Sequence, residues 1–509
     1  MKKRRALFNM ISSIVLQVVM ILSNFIIPRQ TIINYGSSIN GLINSITQFL
    51  SYISLLESGI GAVIQVKYYN AFVKKDNILL SQIYKESKIF FNAIGYIAIG
   101  YVISLCFLYP IIIGSDIPKK TVIILIIIIS ASTFAQYFFG LINQCLLQAD
   151  QKMYIVNTAK ILVNIFNIII FILLIKLNSD IFTLKGISIF ILTLIPLYLA
   201  LYTKKNYAIS KTVNRNKEVL KDKFNGLGQH IAAFTNGNTD IIILTIFLGV
   251  LEVSVYSVYY VVIAGLRSVE SALNNGVSAA FGNLIAEKKY EKVKKIYTTY
   301  DHLNIIVIFS LFTIAYFMII PFIKLYTAGS SDINYIRPVY AAIVLLSEGI
   351  NCLMCSYTCI IFAAGHFKQT MRNCYIEAGI NIVISLLLVK RLGLIGVGIG
   401  TLIAVIYKAV DYIFYLSKNI INWNVGNVFY RLLVNCIGFV FIFFSVKSIP
   451  YNNINSVKSW ILYATLTGII TVTEYLLINF IFCKKQMKDI INIFILPIIK
   501  KLNISKEKT

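Results

Sequence analysis

Long apolar segments alternate with short polar connections along almost the whole chain. Most of these segments approach or exceed the length of about 20 residues with which a helix crosses the hydrocarbon core of a bilayer. A helix satisfies every backbone hydrogen bond within its own segment, as lipid requires. The pattern therefore predicts an all-α integral membrane protein.

About fourteen segments meet the hydropathy criterion for a transmembrane helix. They cover residues 6–28, 38–66, 89–113, 121–147, 154–175, 185–203, 229–249, 255–284, 302–323, 338–363, 374–389, 393–416, 428–446 and 459–482. Because fourteen is an even number, both termini are expected on the same side of the membrane.

Lysine and arginine concentrate in every second connection, for example at 67–88, 204–223 and 288–295. The intervening connections, such as 114–120 and 324–337, hold two cations or fewer. Basic connections stay in the cytoplasm during insertion. The charge pattern therefore predicts a multi-pass protein with cytoplasmic N- and C-termini.

Composition excludes a large soluble domain. Charged residues make up 13% of the chain and hydrophobic residues 58%, whereas soluble domains carry about a quarter charged residues. A net charge of +26 would suit a nucleic-acid partner, but the cations lie beside the spans, where they face anionic lipid. We therefore expect membrane lipids as partners and no nucleic acid.

The first six predicted spans resemble the next six. The basic stretch at 71–84 after span two has a counterpart at 286–297 after span eight, and 148–152 after span four has one at 363–368 after span ten. The nearly constant offset indicates a duplication. Six spans per copy preserve orientation, so the copies are expected to form a parallel pseudo-two-fold repeat.

The predicted organisation has two lobes and a C-terminal addition. Residues 1–203 form the N-terminal six-helix lobe, 204–228 a cytoplasmic basic linker and 229–416 the C-terminal six-helix lobe. Residues 417–483 supply two extra helices, thirteen and fourteen, and 484–509 a cytoplasmic basic tail.

Short motifs occur in a characteristic order along this framework. They include Ile27-Pro-Arg-Gln, Leu56-Glu-Ser-Gly59, Asn238-Thr-Asp240, Gly282-Asn-Leu-Ile-Ala286 and Gly393-Leu-Ile-Gly396. In this order and spacing the chain resembles the multidrug/oligosaccharidyl-lipid/polysaccharide (MOP) exporter superfamily, in particular its bacterial polysaccharide flippases. The resemblance extends from the N-terminus to about residue 416.

The resemblance implies a bacterial inner-membrane flippase in which two bundles enclose a central cavity. It would move an undecaprenyl-diphosphate-linked oligosaccharide, the repeat unit of a polysaccharide, from the inner to the outer leaflet by alternating access. Two alternatives share the architecture: a peptidoglycan-precursor (lipid II-like) flippase, which also has fourteen spans, and a cation-coupled multidrug exporter. A monomer is expected, with H⁺ or Na⁺ as a coupling cation and a polysaccharide polymerase or ligase as a further partner.

Three cations are candidate contacts for a diphosphate. Arg267 lies well inside span eight, where a charge costs about 2.5–3.5 kcal/mol and therefore needs a reason. A guanidinium can bind phosphate with two parallel hydrogen bonds; the alternative is an ion pair with Glu270. Arg29 at the outer end of span one and Lys160 in span five are the other candidates, and both can also snorkel to the interface.

Polar side chains inside the spans are candidates for sugar binding or ion coupling. Asp240 lies near the middle of span seven and Glu57 within span two, whereas Glu348, Glu377 and Glu474 are expected to form structural pairs. For Asp240 the alternative is a salt bridge to Arg267. The remaining candidates are the amides Asn40, Asn44, Gln48, Asn236 and Asn238. Packing between helices is the alternative for these amides.

No catalytic residue, metal or cofactor is predicted. Transport across a membrane breaks no bond, and the chain has three histidines and no phosphate-binding glycine loop of the P-loop type. Cys352-x-x-Cys355 lies in an apolar span, where small residues serve helix packing. A polymerase or membrane glycosyltransferase would need a sizeable outer loop, and every outer connection is short.

Overall fold

The computed structural model describes residues 2–57, 60–114, 117–210, 212–216, 218, 227–287, 290–448 and 454–496. Within these residues every regular element is helical. The all-α architecture predicted from hydropathy is confirmed. The tail beyond residue 496 and most of 217–226 in the predicted linker lie outside the described ranges.

The described residues of the first part of the chain form eight α-helices and two irregular turns. They are α1 (Lys2–Tyr35), α2 (Ser37–Ser51), a 3-10 helix (Tyr52–Glu57), α3 (Ile60–Lys74), α4 (Asn77–Ile113), α5 (Lys119–Ala135), a π-helical turn (Gln136–Gly140), α6 (Leu141–Ala149), α7 (Met153–Lys176) and α8 (Ile181–Asn206).

The described residues of the second part form nine α-helices and a π-helical turn. They are α9 (Leu227–Leu248), α10 (Val250–Ala286), α11 (Tyr290–Tyr326), α12 (Pro338–Ala363), α13 (Phe367–Leu392), α14 (Leu394–Asn419), α15 (Val425–Lys447), α16 (Val457–Phe482), α17 (Lys484–Ile490) and the turn Ile491–Ile495.

Within the described residues, eleven helices are long and apolar enough to span a membrane. The other three predicted spans also coincide with helices. Span two is divided among α2, the 3-10 helix and α3, span seven corresponds to α9, and span eleven corresponds to α13. Many large apolar side chains point outward, such as Phe107 and Leu387 with exposed fractions of 72% and 69%, as expected of a multi-pass membrane protein in lipid.

Local signals explain several helix starts. The carboxylate of Asp76 accepts hydrogen bonds from the backbone of Ile78 and Leu79 at the start of α4. Asp180 does the same at the start of α8, and Ser456 forms a capping box with Ser459 at the start of α16. These side chains satisfy backbone N–H groups that a helix leaves without partners.

The chain divides into two compact units. One contains Met1–Val261 and Gly329–Ile333, and the other contains Val262–Ala328 and Asn334–Thr509. The first unit thus includes α9 and the start of α10 besides the six predicted spans of the N-terminal lobe. The lobe boundaries at 203 and 229 stay predictions based on the sequence repeat.

Candidate functional site

A polar cavity of about 520 Å³ lies among α2, α5, α7 and α8 of the first unit. Glu57 and Lys160, two of the predicted site residues, both line it. Its other polar lining residues are Thr47, Ser51, Ser54, Ser132, Thr133, Gln136 and Tyr137. The structure thus brings a carboxylate, an ammonium group and several hydroxyls together within a membrane-embedded bundle.

Breaks in helical geometry surround this cavity. Span two tightens into a 3-10 helix at Tyr52–Glu57, span four widens into a π-helical turn at Gln136–Gly140, and α8 contains Pro196. Each of the three segments contributes lining residues. Such irregular turns are common at functional sites because they re-aim side chains that a regular helix would turn away.

The two charges in the cavity do not neutralise each other directly. In the described part of the chain neither Glu57 nor Lys160 forms a salt bridge, and Glu57 interacts with the hydroxyl of Tyr137. One carboxylate oxygen of Glu57 is buried without a hydrogen-bond partner among the described residues. A buried oxygen of this kind marks a position for a water, a cation or a ligand hydroxyl.

The amides of α2 make contacts between helices. Asn40 has an exposed fraction of 2% and donates to the hydroxyls of Ser254 and Ser257 at 2.8 and 3.2 Å. Gln48 donates to Asn238 on α9 at 2.6 Å. These bonds match the packing alternative, and a sugar-binding role for the two residues stays a prediction.

Asn44 lies on α2 and Asp240 on α9, the two helices that the hydrogen bond between Gln48 and Asn238 connects. Asn44 donates to the backbone oxygen of Asn40 at 2.8 Å, one turn earlier in α2. Asp240 is buried in α9 with an exposed fraction of 5%, and the neighbouring Thr239 interacts with Tyr52. The side chain of Asn236 lies outside the described residues.

Close backbone contact explains why these amides are engaged. A Cβ atom at Gly41 would collide with the backbone oxygen of Val250, so α2 approaches the start of α10 as only glycine allows. Ser45 and Thr245 share a hydrogen bond of 2.6 Å further along the same face of α2. Small and hydroxyl-bearing residues form helix interfaces of this kind in membranes.

Arg267 lies in the middle of α10, in the second unit, and is held by Glu348 of α12. Its Nε and Nη2 atoms donate to the two carboxylate oxygens of Glu348 at 2.7 and 2.6 Å. The Arg267 side chain is 44% exposed, whereas that of Glu348 is 3% exposed. The bidentate partner is therefore Glu348. Glu270, the alternative one turn away, accepts a hydrogen bond from Asn274 and also interacts electrostatically with Arg267.

Arg29 is half-buried in α1, directly after Pro28. It is the third cation proposed for a diphosphate, beside Arg267 and Lys160. Arg29 and Lys160 belong to the first unit and Arg267 to the second.

An apolar groove of about 330 Å³ lies among α11, α12 and α15 of the second unit. Its lining includes Phe309, Phe312, Leu345, Leu353 and Phe439. No feature of the sequence predicts this groove, because each of these residues fits an ordinary apolar span. Their juxtaposition depends on the packing of the first extra helix, α15, against two helices of the predicted C-terminal lobe.

The sequence also does not predict a buried ion pair between α11 and α15. Arg431 of α15 and Asp301 of α11 approach to 3.0 Å, and each side chain is only 1% exposed. Arg431 also donates to the backbone oxygen of Thr298 at 3.0 Å. An isolated arginine in predicted span thirteen was the available signal, although it did not identify the partner.

Several solved structures are similar to this chain. A lipid II flippase, MurJ, in an inward closed conformation superposes with a TM-score of 0.71 at 16% identity, covering 94% of this chain and 99% of that one. A multidrug resistance MATE family transporter of the MOP superfamily, facing inward, gives 0.61 at 15% identity, covering 81% and 97%. A MOP superfamily transporter from Pyrococcus furiosus gives 0.57 at 15% identity, covering 81% and 94%.

The chain has the fold of the MOP superfamily. The resemblance inferred from the order of the sequence motifs is thus confirmed at the level of the fold. No protein-family model and no curated protein sequence matches the chain. At 15–16% identity this likeness establishes the fold and does not establish the function.

Proposed function

We propose that the protein is a MOP-type flippase that moves a polyprenyl-diphosphate-linked oligosaccharide from the inner to the outer leaflet by alternating access. The observation that carries the proposal is Arg267, a cation placed in the middle of a membrane helix, anchored by Glu348 and still 44% exposed. A guanidinium suits the oxygens of a diphosphate because its donors form a planar fork.

The apolar groove of the second unit supports a lipid-linked substrate. A polyprenyl chain needs a continuous apolar surface while its headgroup crosses the membrane. The groove among α11, α12 and α15 offers aromatic and aliphatic side chains and very little polar surface. We assign the groove to the polyprenyl tail. Its apolar lining keeps the tail away from polar groups, in an environment like that of lipid.

The polar cavity of the first unit supports a hydrated headgroup or a coupling cation. Its hydroxyls and the Gln136 amide can exchange hydrogen bonds with sugar hydroxyls, and Glu57 can accept hydrogen bonds or bind H⁺ or Na⁺. Lys160 in the same cavity can bind a phosphate or an acidic sugar.

A lipid II-like peptidoglycan precursor is the second candidate substrate. The MurJ structure covers 94% of this chain, whereas the inward-facing MATE transporter covers 81%. This greater coverage favours a lipid-linked precursor over a soluble drug. Both lipid substrates share the polyprenyl diphosphate, so the assignment of Arg267 is the same for each.

Two measurements test the proposal. Cells lacking the protein should accumulate a lipid-linked saccharide in the inner leaflet, and its sugar composition separates a polysaccharide repeat unit from a peptidoglycan precursor. The purified protein should bind farnesyl diphosphate at least tenfold more tightly than farnesol, since the diphosphate adds charge-assisted hydrogen bonds. Equal affinity for the two probes would refute the diphosphate site.

A further inference from the structure

The ion pair between Arg267 and Glu348 is asymmetric in its exposure. Glu348 is 3% exposed and lies on α12, while the arginine that it binds is 44% exposed. A ligand that reaches this pair therefore meets the guanidinium and not the carboxylate. Glu348 supports Arg267 from the protein side.

The geometry of the pair fixes the direction of the guanidinium. Two parallel hydrogen bonds of 2.7 and 2.6 Å engage Nε and Nη2, the side edge of the group. One hydrogen bond would leave the plane of the guanidinium free to rotate, but two define it. The arginine is thus oriented before any ligand arrives.

We propose that Glu348 is a positioning residue, which orients Arg267 and limits how tightly it holds a phosphate-bearing ligand. This inference rests on the proposed function, since it concerns the same arginine. It adds that the buried carboxylate of Glu348 sets the balance between ligand binding and ligand release. Such a balance matters in a transporter, which must release its substrate in every cycle.

Electrostatics supplies the second half of this role. A carboxylate beside the guanidinium offsets its positive charge, so an incoming phosphate gains less than it would from an isolated cation. The same carboxylate lowers the cost of placing Arg267 within the membrane. Glutamine keeps one acceptor oxygen for Arg267 but replaces the other with an N–H donor, so E348Q weakens the orientation as well as removing the charge. We expect the loss of the offsetting charge to dominate, so ligand binding should strengthen and ligand release should slow.

The second unit provides a matched control for this experiment. Glu377 of α13 is 2% exposed and forms a salt bridge of 2.9 Å with Lys408 of α14. The variant E377Q removes a buried carboxylate charge from another ion pair in the same unit. General loosening of the unit should affect E348Q and E377Q alike, whereas a positioning role concerns E348Q alone.

The test compares wild type, E348Q, E348D and E377Q in detergent, with farnesyl diphosphate as the probe. For E348Q we expect the Kd to fall at least threefold and the dissociation rate to fall with it. E348D keeps the charge but draws the carboxylate back, so it should misplace the guanidinium and raise the Kd. E377Q should leave both quantities unchanged.

The outcomes separate the two proposals. If wild type binds farnesyl diphosphate no better than farnesol, the proposed function fails. If wild type shows the preference but E348Q leaves the Kd unchanged or raises it, the limit that Glu348 sets on affinity is refuted. If E348D leaves the Kd unchanged, the positioning role is refuted. In both cases the proposed function stands. If E348Q does not fold, E348D decides: a Kd equal to that of wild type would contradict the positioning role, and a raised Kd would support it.

Discussion

Two of the arginine–carboxylate pairs in the second unit, Arg267–Glu348 and Arg431–Asp301, differ in how much of the arginine can be reached. Arg431 and Asp301 are each 1% exposed, so no ligand can contact either charge without local opening. Arg267 is 44% exposed although its partner Glu348 is 3% exposed. The same chemistry thus serves helix packing in one place and, in the function that we propose, ligand binding in the other.

The surroundings of the two pairs support this distinction. Arg431 is surrounded by protein, with the Trp423 ring 6.0 Å away and the backbone oxygens of Thr298 and Asn427 as further acceptors. Its contacts connect α15 to α11, and so attach the first of the two extra helices to the rest of the unit. We infer that exposure of the cation separates a structural pair from a binding pair.

The largest effect on stability is expected from breaking the fully buried pair. The variants R431A and D301A each leave one buried charge without its partner, which costs about 3–5 kcal/mol. The double variant R431M/D301L removes both charges and should recover most of the loss, since apolar replacements of a buried pair are often neutral. Thermal unfolding in detergent measures all three. Unfolding temperatures equal to wild type for the single variants would contradict the structural assignment.

Breaking the half-exposed pair should affect binding most. R267Q removes the charge-assisted hydrogen bonds to a diphosphate, worth about 1.5–3 kcal/mol, so the affinity for farnesyl diphosphate should fall by about 10- to 150-fold. R267Q alone also leaves Glu348 without its bidentate partner. R267Q/E348Q removes both charges, and it should recover thermal stability without recovering binding. Recovery of binding in this double variant would show that Arg267 does not contact the ligand.

The sequence identified the helices more readily than the partners of the charges. Hydropathy located the spans because each must match the thickness of a bilayer. Arg267 stood out as a cation in an apolar helix, but helical spacing pointed to Glu270, one turn away. Glu348 lies 81 residues further along the chain, and only the packing of α10 against α12 makes it the partner.

The polar cavity shows the same limit. Glu57 and Lys160 were candidates as individual charges within spans, but nothing in the sequence placed them in one cavity. Their proximity depends on the 3-10 helix at Tyr52–Glu57 and the π-helical turn at Gln136–Gly140. Neither turn contains a proline. Gly140 ends the π-helical turn and Ser58-Gly59 follows the 3-10 helix in the sequence, so glycine marks both places without indicating which irregular turn forms there.

The cavity of the first unit adds a third arrangement, in which two charges share a space without pairing. E57Q should leave thermal stability within about 1 kcal/mol of wild type, because no salt bridge is lost. It should lower transport of the saccharide-bearing lipid several-fold and leave the Kd for farnesyl diphosphate, which has no sugar, unchanged. T158V, on α7 outside this cavity, is the control. A changed Kd for farnesyl diphosphate would place Glu57 beside the diphosphate.

The smallest effect is expected at Asp332, an exposed carboxylate held by hydrogen bonds alone. It accepts from the backbone N–H and the hydroxyl of Ser37, each at 2.6 Å, and so caps the start of α2 after Gly36. Gly36 has a φ of 85°, a conformation that favours glycine. Loss of a cap costs about 0.5–2 kcal/mol, and exposure places D332A at the lower end of that range.

The pH dependence of this cap tests the charge of the Asp332 carboxylate, whose described hydrogen bonds come from neutral groups and not from a cation. Partial burial acts to raise the pKa of Asp332, but the hydrogen bonds from Ser330 and Ser37 outweigh it and lower that pKa below its ordinary value. A carboxyl whose pKa is lower in the folded state stabilises the fold above its unfolded pKa, and this stabilisation disappears as the pH falls through the folded value. The difference in unfolding temperature between wild type and D332N should therefore be present at neutral pH and shrink below pH of about 4. A difference that stays constant down to pH of about 2 would mean that the carboxylate charge contributes nothing to the cap.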